Sequence, residues 1–135
     1  MSIHYPLSEE FTPYGPLLTP HIRLQVNTIY GWRPYQFLLD TGADFTVVPE
    51  SLATLIDLDL RRCPQEYTLG IDDRPLPARV GSITISLGDE IVRVRCHFLK
   101  SENTPYLLGR MDLFSRFDIF LRNGQRRVSF TRIKI

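Results

Sequence analysis

The chain has 135 residues, 43% of them hydrophobic, which is enough for one core and too little for two, so a single compact domain is expected. Sixteen basic against 15 acidic residues leave a formal net charge of +1, which argues against a dedicated polyanion-binding surface. With no run of 18 apolar residues and no basic-then-apolar leader, the expected setting is cytoplasmic, with no membrane partner.

Residues 1–20 carry Pro6, Pro13, Pro16, Pro20 and Gly15. Proline at that density fixes φ and removes donors, which predicts an extended arm, neither a helix nor a central strand, ahead of a domain over 21–135. From Ile22 the texture changes: Ile22, Leu24 and Val26 alternate with Arg23, Gln25 and Asn27, the period of a half-buried strand. Gly31-Trp32-Arg33-Pro34 reads as a turn, and Tyr35 to Leu39 as the returning strand. Thr46-Val47-Val48 is a further short apolar run. Pro49-Glu50-Ser51 then predicts the start of a short helix, with Leu52, Leu55 and Ile56 on one face.

Glu66 to Ile71 and Leu76 to Leu87 read as two strands joined by Asp72-Asp73-Arg74-Pro75, and Glu90 to Leu99 as a third, reached through Leu87-Gly88-Asp89-Glu90. Tyr106-Leu107-Leu108 is a short apolar run ending at Gly109, and a short helix is predicted over Met111 to Arg116. Phe117 to Leu121 and Arg127 to Thr131 flank Asn123-Gly124, a hairpin signal. Cys63 and Cys96 have no metal-like spacing and are expected as free thiols or small packed groups. Fourteen of the 16 basic residues are arginine, and Arg122, Arg126, Arg127, Arg132 and Lys134 lie near the C-terminus. That cluster alone does not make a nucleic-acid partner the expectation. Many short strands at close turn spacing predict an all-β barrel or sandwich with one or two short helices.

One stretch stands out against this background. Phe37-Leu38-Leu39 runs straight into Asp40-Thr41-Gly42, placing a carboxylate at the end of a buried strand. A carboxylate there is neutralised, hydrogen-bonded or chemically active. Leu38-Leu39-Asp40-Thr41-Gly42-Ala43-Asp44, with Leu107-Leu108-Gly109-Arg110 ending 70 residues after Asp40, resembles the signature pair of the retropepsins, the retroviral-type aspartic proteases, and of their single-domain cellular and bacterial relatives. The resemblance covers roughly Ile22 to Phe130 and implies an acid-protease β-barrel, or closed sandwich.

Hydrolysing a peptide bond without metal or covalent intermediate needs one group to take a proton from water and another to give one to the carbonyl oxygen. Two carboxylates sharing a proton do both, because two like charges in contact cannot both ionise. Asp-Thr-Gly occurs once here, so the second carboxylate must come from a second chain. The expected enzyme is therefore a homodimeric aspartic endopeptidase acting on peptide or protein substrates, without metal or cofactor. Asp40, Thr41 and Gly42 form its catalytic motif. The resemblance gives Thr41 the role of holding the two loops together, while Gly42 allows close backbone approach.

It further implies that Arg110, after Gly109, is held by a carboxylate near Asp44 as structural support, and that Asp44 meets substrate backbone. Gly70, Ile71 and Asp72 lie where the family has its flap, a hairpin that closes over bound peptide. Here the flap is more charged and stiffer than is usual, with Asp73, Pro75 and Pro77 beside it. Two departures concern the dimer: Met111 follows Gly-Arg where the retroviral enzymes have Asp or Asn, and the chain continues through Asn123-Gly124 to Ile135. The arm over 1–20 is open to three readings, as a brace for the dimer, a tethered pseudo-substrate or a processed extension. A catalytically silent peptide-binding or dimerisation module on the same fold is the alternative function.

Overall fold

The computed structural model describes residues 2–69, 74–101 and 103–134. Twelve strands and one short helix follow each other along these residues. Strand β1 spans Ser2–Pro6, β2 Ser8–Thr12, β3 Gly15–Thr19, β4 His21–Thr28, β5 Gly31–Leu39 and β6 Thr46–Pro49. Helix α1 covers Ser51–Leu55 and a single 3-10 turn Leu60–Arg62. Then come β7 Gln65–Leu69, β8 Pro75–Leu87, β9 Glu90–Leu99, β10 Leu107–Leu108, β11 Phe117–Arg122 and β12 Arg127–Arg132.

The main sheet runs in the order β4, β5, β10, β6, β9, β8, β7, and β4 also pairs with β8. That additional pairing, Gln25 with Ser86 and Val26 with Ile85, closes six of the strands into a barrel. Closure removes the exposed edges an open sheet would leave. Strand β7 continues outward from the other end of β8, from Gln65 opposite Arg79 to Leu69 opposite Pro75. The all-β barrel expected from the turn spacing is the observed architecture.

Alternation decides which side chains fill the barrel. Ile22, Leu24 and Val26 from β4 meet Phe37 and Leu39 from β5, Ile83, Ile85 and Leu87 from β8, and Val92, Val94, Cys96 and Phe98 from β9. Burial pushes the Cys96 thiol well above its usual range, so it packs as a protonated apolar group. Both cysteines are free. Gly81 is a packing requirement, since a Cβ there would lie 2.6 Å from Leu58 Cδ2 and 2.9 Å from Phe98 Cε2.

A second sheet, in the order β1, β12, β11, caps the barrel. Its Phe130 ring meets Tyr5 edge-on at 5.8 Å and Phe117 at 6.3 Å, and Val128 joins the same core. The proline-dense arm is thus extended, and its first strand is an edge strand. The rest of the arm is a two-stranded hairpin of β2 and β3, tied to the β11–β12 turn by Leu7 N–H donating to the Arg126 carbonyl and by a 3.0 Å Glu9–Arg126 ion pair.

Three local expectations are corrected. Gly31 to Pro34 is strand, and the turn falls on Ile29 and Tyr30. Ile29 N–H donates to the Leu55 carbonyl and Thr28 Oγ1 to that of Gly31, so a helix contact and a side chain hold the turn earlier than glycine and proline suggest. Pro49 ends β6, and α1 begins only at Ser51. Met111 to Arg116 forms successive turns, with Asp112 at φ +66° interrupting any helix. The Asn123-Gly124 hairpin is present, but it closes through a single 3-10 turn with Arg126, at φ +55°, as its left-handed residue.

Candidate active site

Strand β5 ends at Leu39, and the chain leaves the barrel wall at Asp40. Strand β10 lies beside β5 in parallel, Leu107 opposite Leu38 and Leu108 opposite Leu39, and beside β6 in antiparallel, Leu107 opposite Val47. Two residues of β10 therefore hold apart the two ends of the loop from Asp40 to Phe45. Asp40 N–H continues the ladder by donating to the Leu108 carbonyl at 2.9 Å, and Leu39 N–H donates to that of Pro20 at 2.9 Å.

Beyond Leu39 the loop is held by short-range bonds. Asp40 Oδ1 accepts from Gly42 N–H at 3.0 Å, and the Asp40 carbonyl accepts from Ala43 N–H at 3.2 Å. Asp40 is half-buried, while Thr41, Gly42 and Asp44 are exposed. Among the described residues no basic side chain forms an ion pair with Asp40. The carboxylate thus stands at the surface, oriented by a backbone donor and with its other oxygen uncommitted. A Cβ on Gly42 would come 3.3 Å from Asp40 Oδ1, so glycine leaves the carboxylate room.

Gly109 and Arg110 support this loop, though by a different contact from the one the resemblance implies. Among the described residues no ion pair joins Asp44 and Arg110. Arg110 N–H donates to the Ala43 carbonyl at 2.9 Å and Met111 N–H to that of Asp44 at 2.8 Å, so the backbone makes the link. The Arg110 guanidinium lies over the Phe114 ring, 5.7 Å from its centre. A Cβ on Gly109 would overlap the Phe45 carbonyl and lie 2.8 Å from Thr46 N, so only glycine permits this approach.

Three further residues escape a reading of the sequence. Thr46 sits in what reads as an apolar run, yet its buried hydroxyl accepts from Gly109 N–H at 3.0 Å. Phe45 stacks on His97 of β9, with ring centres 4.3 Å apart and an interplanar angle of 19°. His97 is 4% exposed and contacts Glu66 of β7. A threonine inside an apolar run and a lone histidine inside a strand pattern are the only signals either gives.

Behind Met111, Arg95 grips Asp112 through Nη2 to Oδ1 at 2.9 Å and Nε to Oδ2 at 3.0 Å. Asp112 Oδ2 also accepts from Arg95 N–H at 2.9 Å. Side-chain hydrogen bonding from Arg95 is the largest influence on the carboxyl and holds it below its ordinary range.

The base of the β7–β8 hairpin belongs to the barrel wall, and its outer part runs on past Ala78, the last residue of β8 that pairs with β9. Tyr67 and Leu76 are exposed on its opposite faces, and Gln65, Glu66 and Pro77 are exposed beside them. Gly70, Ile71 and Asp72, expected at its tip, lie outside the described residues. No group of three or more His, Cys, Asp or Glu side chains is placed to hold a metal ion among the described residues, and no helix there is long and apolar enough to cross a membrane.

Comparison with known proteins agrees with this geometry. The fold is similar to that of a retropepsin-like aspartic protease from Rickettsia conorii, with a TM-score of 0.64 over 96% of this chain and 89% of that one, at 15% identity. No curated protein matches the sequence. Residues 24–111, more than half of the chain, match the sequence profile described as aspartyl protease, a span that contains both the Asp40 loop and the Gly109 strand end that supports it. By that match the chain belongs to the aspartyl protease family.

Proposed function

We propose that this protein is an aspartic endopeptidase whose active form is a homodimer, with Asp40 from each subunit meeting on a two-fold axis. The observation that carries the reading is the Asp40 carboxylate itself. It is fixed at a strand end by Gly42 N–H and has no cation partner among the described residues, and the chain contains one such motif. A carboxylate placed only to cap its loop would not need a family profile spanning both loop and support, nor a glycine at 42 that leaves it room.

In the proposed reaction one Asp40 is ionised and its mate is protonated. The ionised carboxylate takes a proton from water as the water oxygen attacks the peptide carbonyl carbon, and the protonated mate gives its proton to the carbonyl oxygen. Collapse of the tetrahedral intermediate breaks the C–N bond, with a proton delivered to the leaving nitrogen. One water is consumed, and the pair returns to its singly protonated state. Thr41 holds the two loops together, and Asp44 at the exposed end of the loop meets substrate backbone.

The β7–β8 hairpin serves as the flap, the part that the resemblance gives to Gly70, Ile71 and Asp72. Support comes from its outer part, which runs past the last β8–β9 pair, and from the exposed Tyr67 and Leu76, which offer apolar contact to a bound chain. The substrate class is an extended peptide with hydrophobic side chains around the scissile bond.

The test is cleavage of a peptide library by the wild type beside Asp40→Asn, followed by titration of wild type with the variant. Cuts are expected only from the wild type. Because mixed dimers hold one competent carboxylate, activity per wild-type subunit in an equimolar mixture should drop to about half. Activity that ignores the added variant removes the shared dyad. A folded dimer that binds peptides and cuts none would instead be a peptide-binding module on this fold.

A further inference from the structure

His97 is among the buried polar side chains that the proposed chemistry leaves unused. His97 lies on β9 between Val47 of β6 and Val80 of β8, and its side chain is 6% exposed. Its ring does two things at once. One face stacks on Phe45, the residue that ends the Asp40 loop and whose carbonyl packs against Gly109. Its Nε2 lies 3.3 Å from Oε2 of Glu66, in the first strand of the β7–β8 hairpin. An ionised carboxylate can only accept, so Nε2 carries the hydrogen. Nδ1 is buried without a partner, which makes Glu66 the ring's sole polar contact among the described residues.

A buried imidazole with one nitrogen unsatisfied costs stability that an apolar residue would avoid. Leucine or valine would fill the same buried position, on the face of β9 opposite Cys96 and Phe98. The histidine instead adds a side-chain link between β7, whose strand partner among the described residues is β8, and the loop carrying Asp40.

We infer that His97 is a positioning residue, which fixes the root of the β7–β8 hairpin relative to the Asp40 loop through the series Glu66, His97, Phe45. Its bearing on catalysis rests on the protease reading above; the mechanical link does not. Peptide engaging the hairpin is thereby registered against the loop that holds the carboxylate, so loss of the link weakens substrate binding while the chemical step proceeds.

The experiment uses Glu66→Ala, His97→Phe, the double variant and Glu66→Gln. Glu66 is half exposed, so its substitution leaves the core intact, and the glutamine keeps an acceptor for Nε2–H. Two quantities are read: amide hydrogen exchange of β7 relative to β4, and the separate values of KM and kcat for a cleaved peptide. Glu66→Ala and His97→Phe should each speed exchange in β7 several-fold and leave β4 unchanged. Each should also raise KM about fivefold or more, the low end of coupling between two sites, with kcat held. The double variant should be no worse than the more damaging single, and Glu66→Gln should stay near wild type. Should His97→Phe not fold, the alanine and glutamine pair at position 66 decides alone. Unchanged β7 exchange in Glu66→Ala, or single effects that multiply in the double variant, overturns the link. Absence of cleavage by the wild type sinks the protease reading and leaves the exchange result to stand on its own.

Discussion

Gly109 and Thr46 lock the end of β10 to the start of β6 beside the Asp40 loop: the buried Gly109 N–H donates to Thr46 Oγ1 at 3.0 Å, and no side chain fits on the glycine side of the contact. Replacing Thr46 with the near-isosteric valine keeps the packing and orphans a buried donor. A loss of about 1–3 kcal/mol of stability is expected, read as a lower midpoint in denaturant. Gly109→Ala forces the Phe45 backbone away and should cost more, about 3 kcal/mol or above. If the alanine variant were as stable as the wild type, the close approach would be of no consequence.

The Arg95–Asp112 grip makes part of the stability pH-dependent. Because the Asp112 carboxyl is held below its ordinary range in the folded chain, its contribution is fully present above the unfolded carboxylate pKa of about 3.9 and is lost as pH falls through the lower folded value. Asp112→Asn keeps a residue that tolerates the left-handed φ and removes the ionisable group. The wild type should melt above the variant from neutral pH down to about 5, and the gap should close as the solution is taken towards pH 2. A gap that persisted at the acid end would assign the difference to shape and not to charge.

Gly42 keeps space around Asp40 Oδ1, and a methyl group at 3.3 Å would press on an oxygen whose position sets the rate in the proposed reaction. Gly42→Ala lies in an exposed loop, so the melting temperature should hardly change, while kcat is expected to fall on the order of a hundredfold, as for a small misplacement of a reacting group. Thermal melts beside peptide kinetics check both halves. Equal loss of stability and rate would mean the loop has unfolded.

Much of this was legible in the sequence because period-2 alternation reports burial directly. Ile22, Leu24 and Val26 point inward as their spacing requires, and the carboxylate of Asp40 falls at the strand end where the apolar run stops. What alternation cannot report is a contact made by a side chain of unexpected polarity. The Thr46 hydroxyl and the His97 ring are set by neighbours 63 and 31 residues away, and the sequence around each looks merely strand-like. Local pattern also misled over Met111 to Arg116. The apolar spacing there suits a helix, but Arg95, from a distant strand, holds Asp112 in a left-handed conformation that a helix does not allow.

Strand β10 sits between β5 and β6, although the chain reaches it only after both, and this has a consequence for biosynthesis. Asp40 receives its strand-end partner from Leu108, 68 positions later. At translation speeds of about 5–20 residues per second, the motif waits roughly 3–14 seconds before the segment that shapes it has even been made. Nascent chains therefore carry the acid without its geometry, and a ribosome-bound fragment ending before Leu108 lacks the carbonyl that Asp40 N–H bonds to.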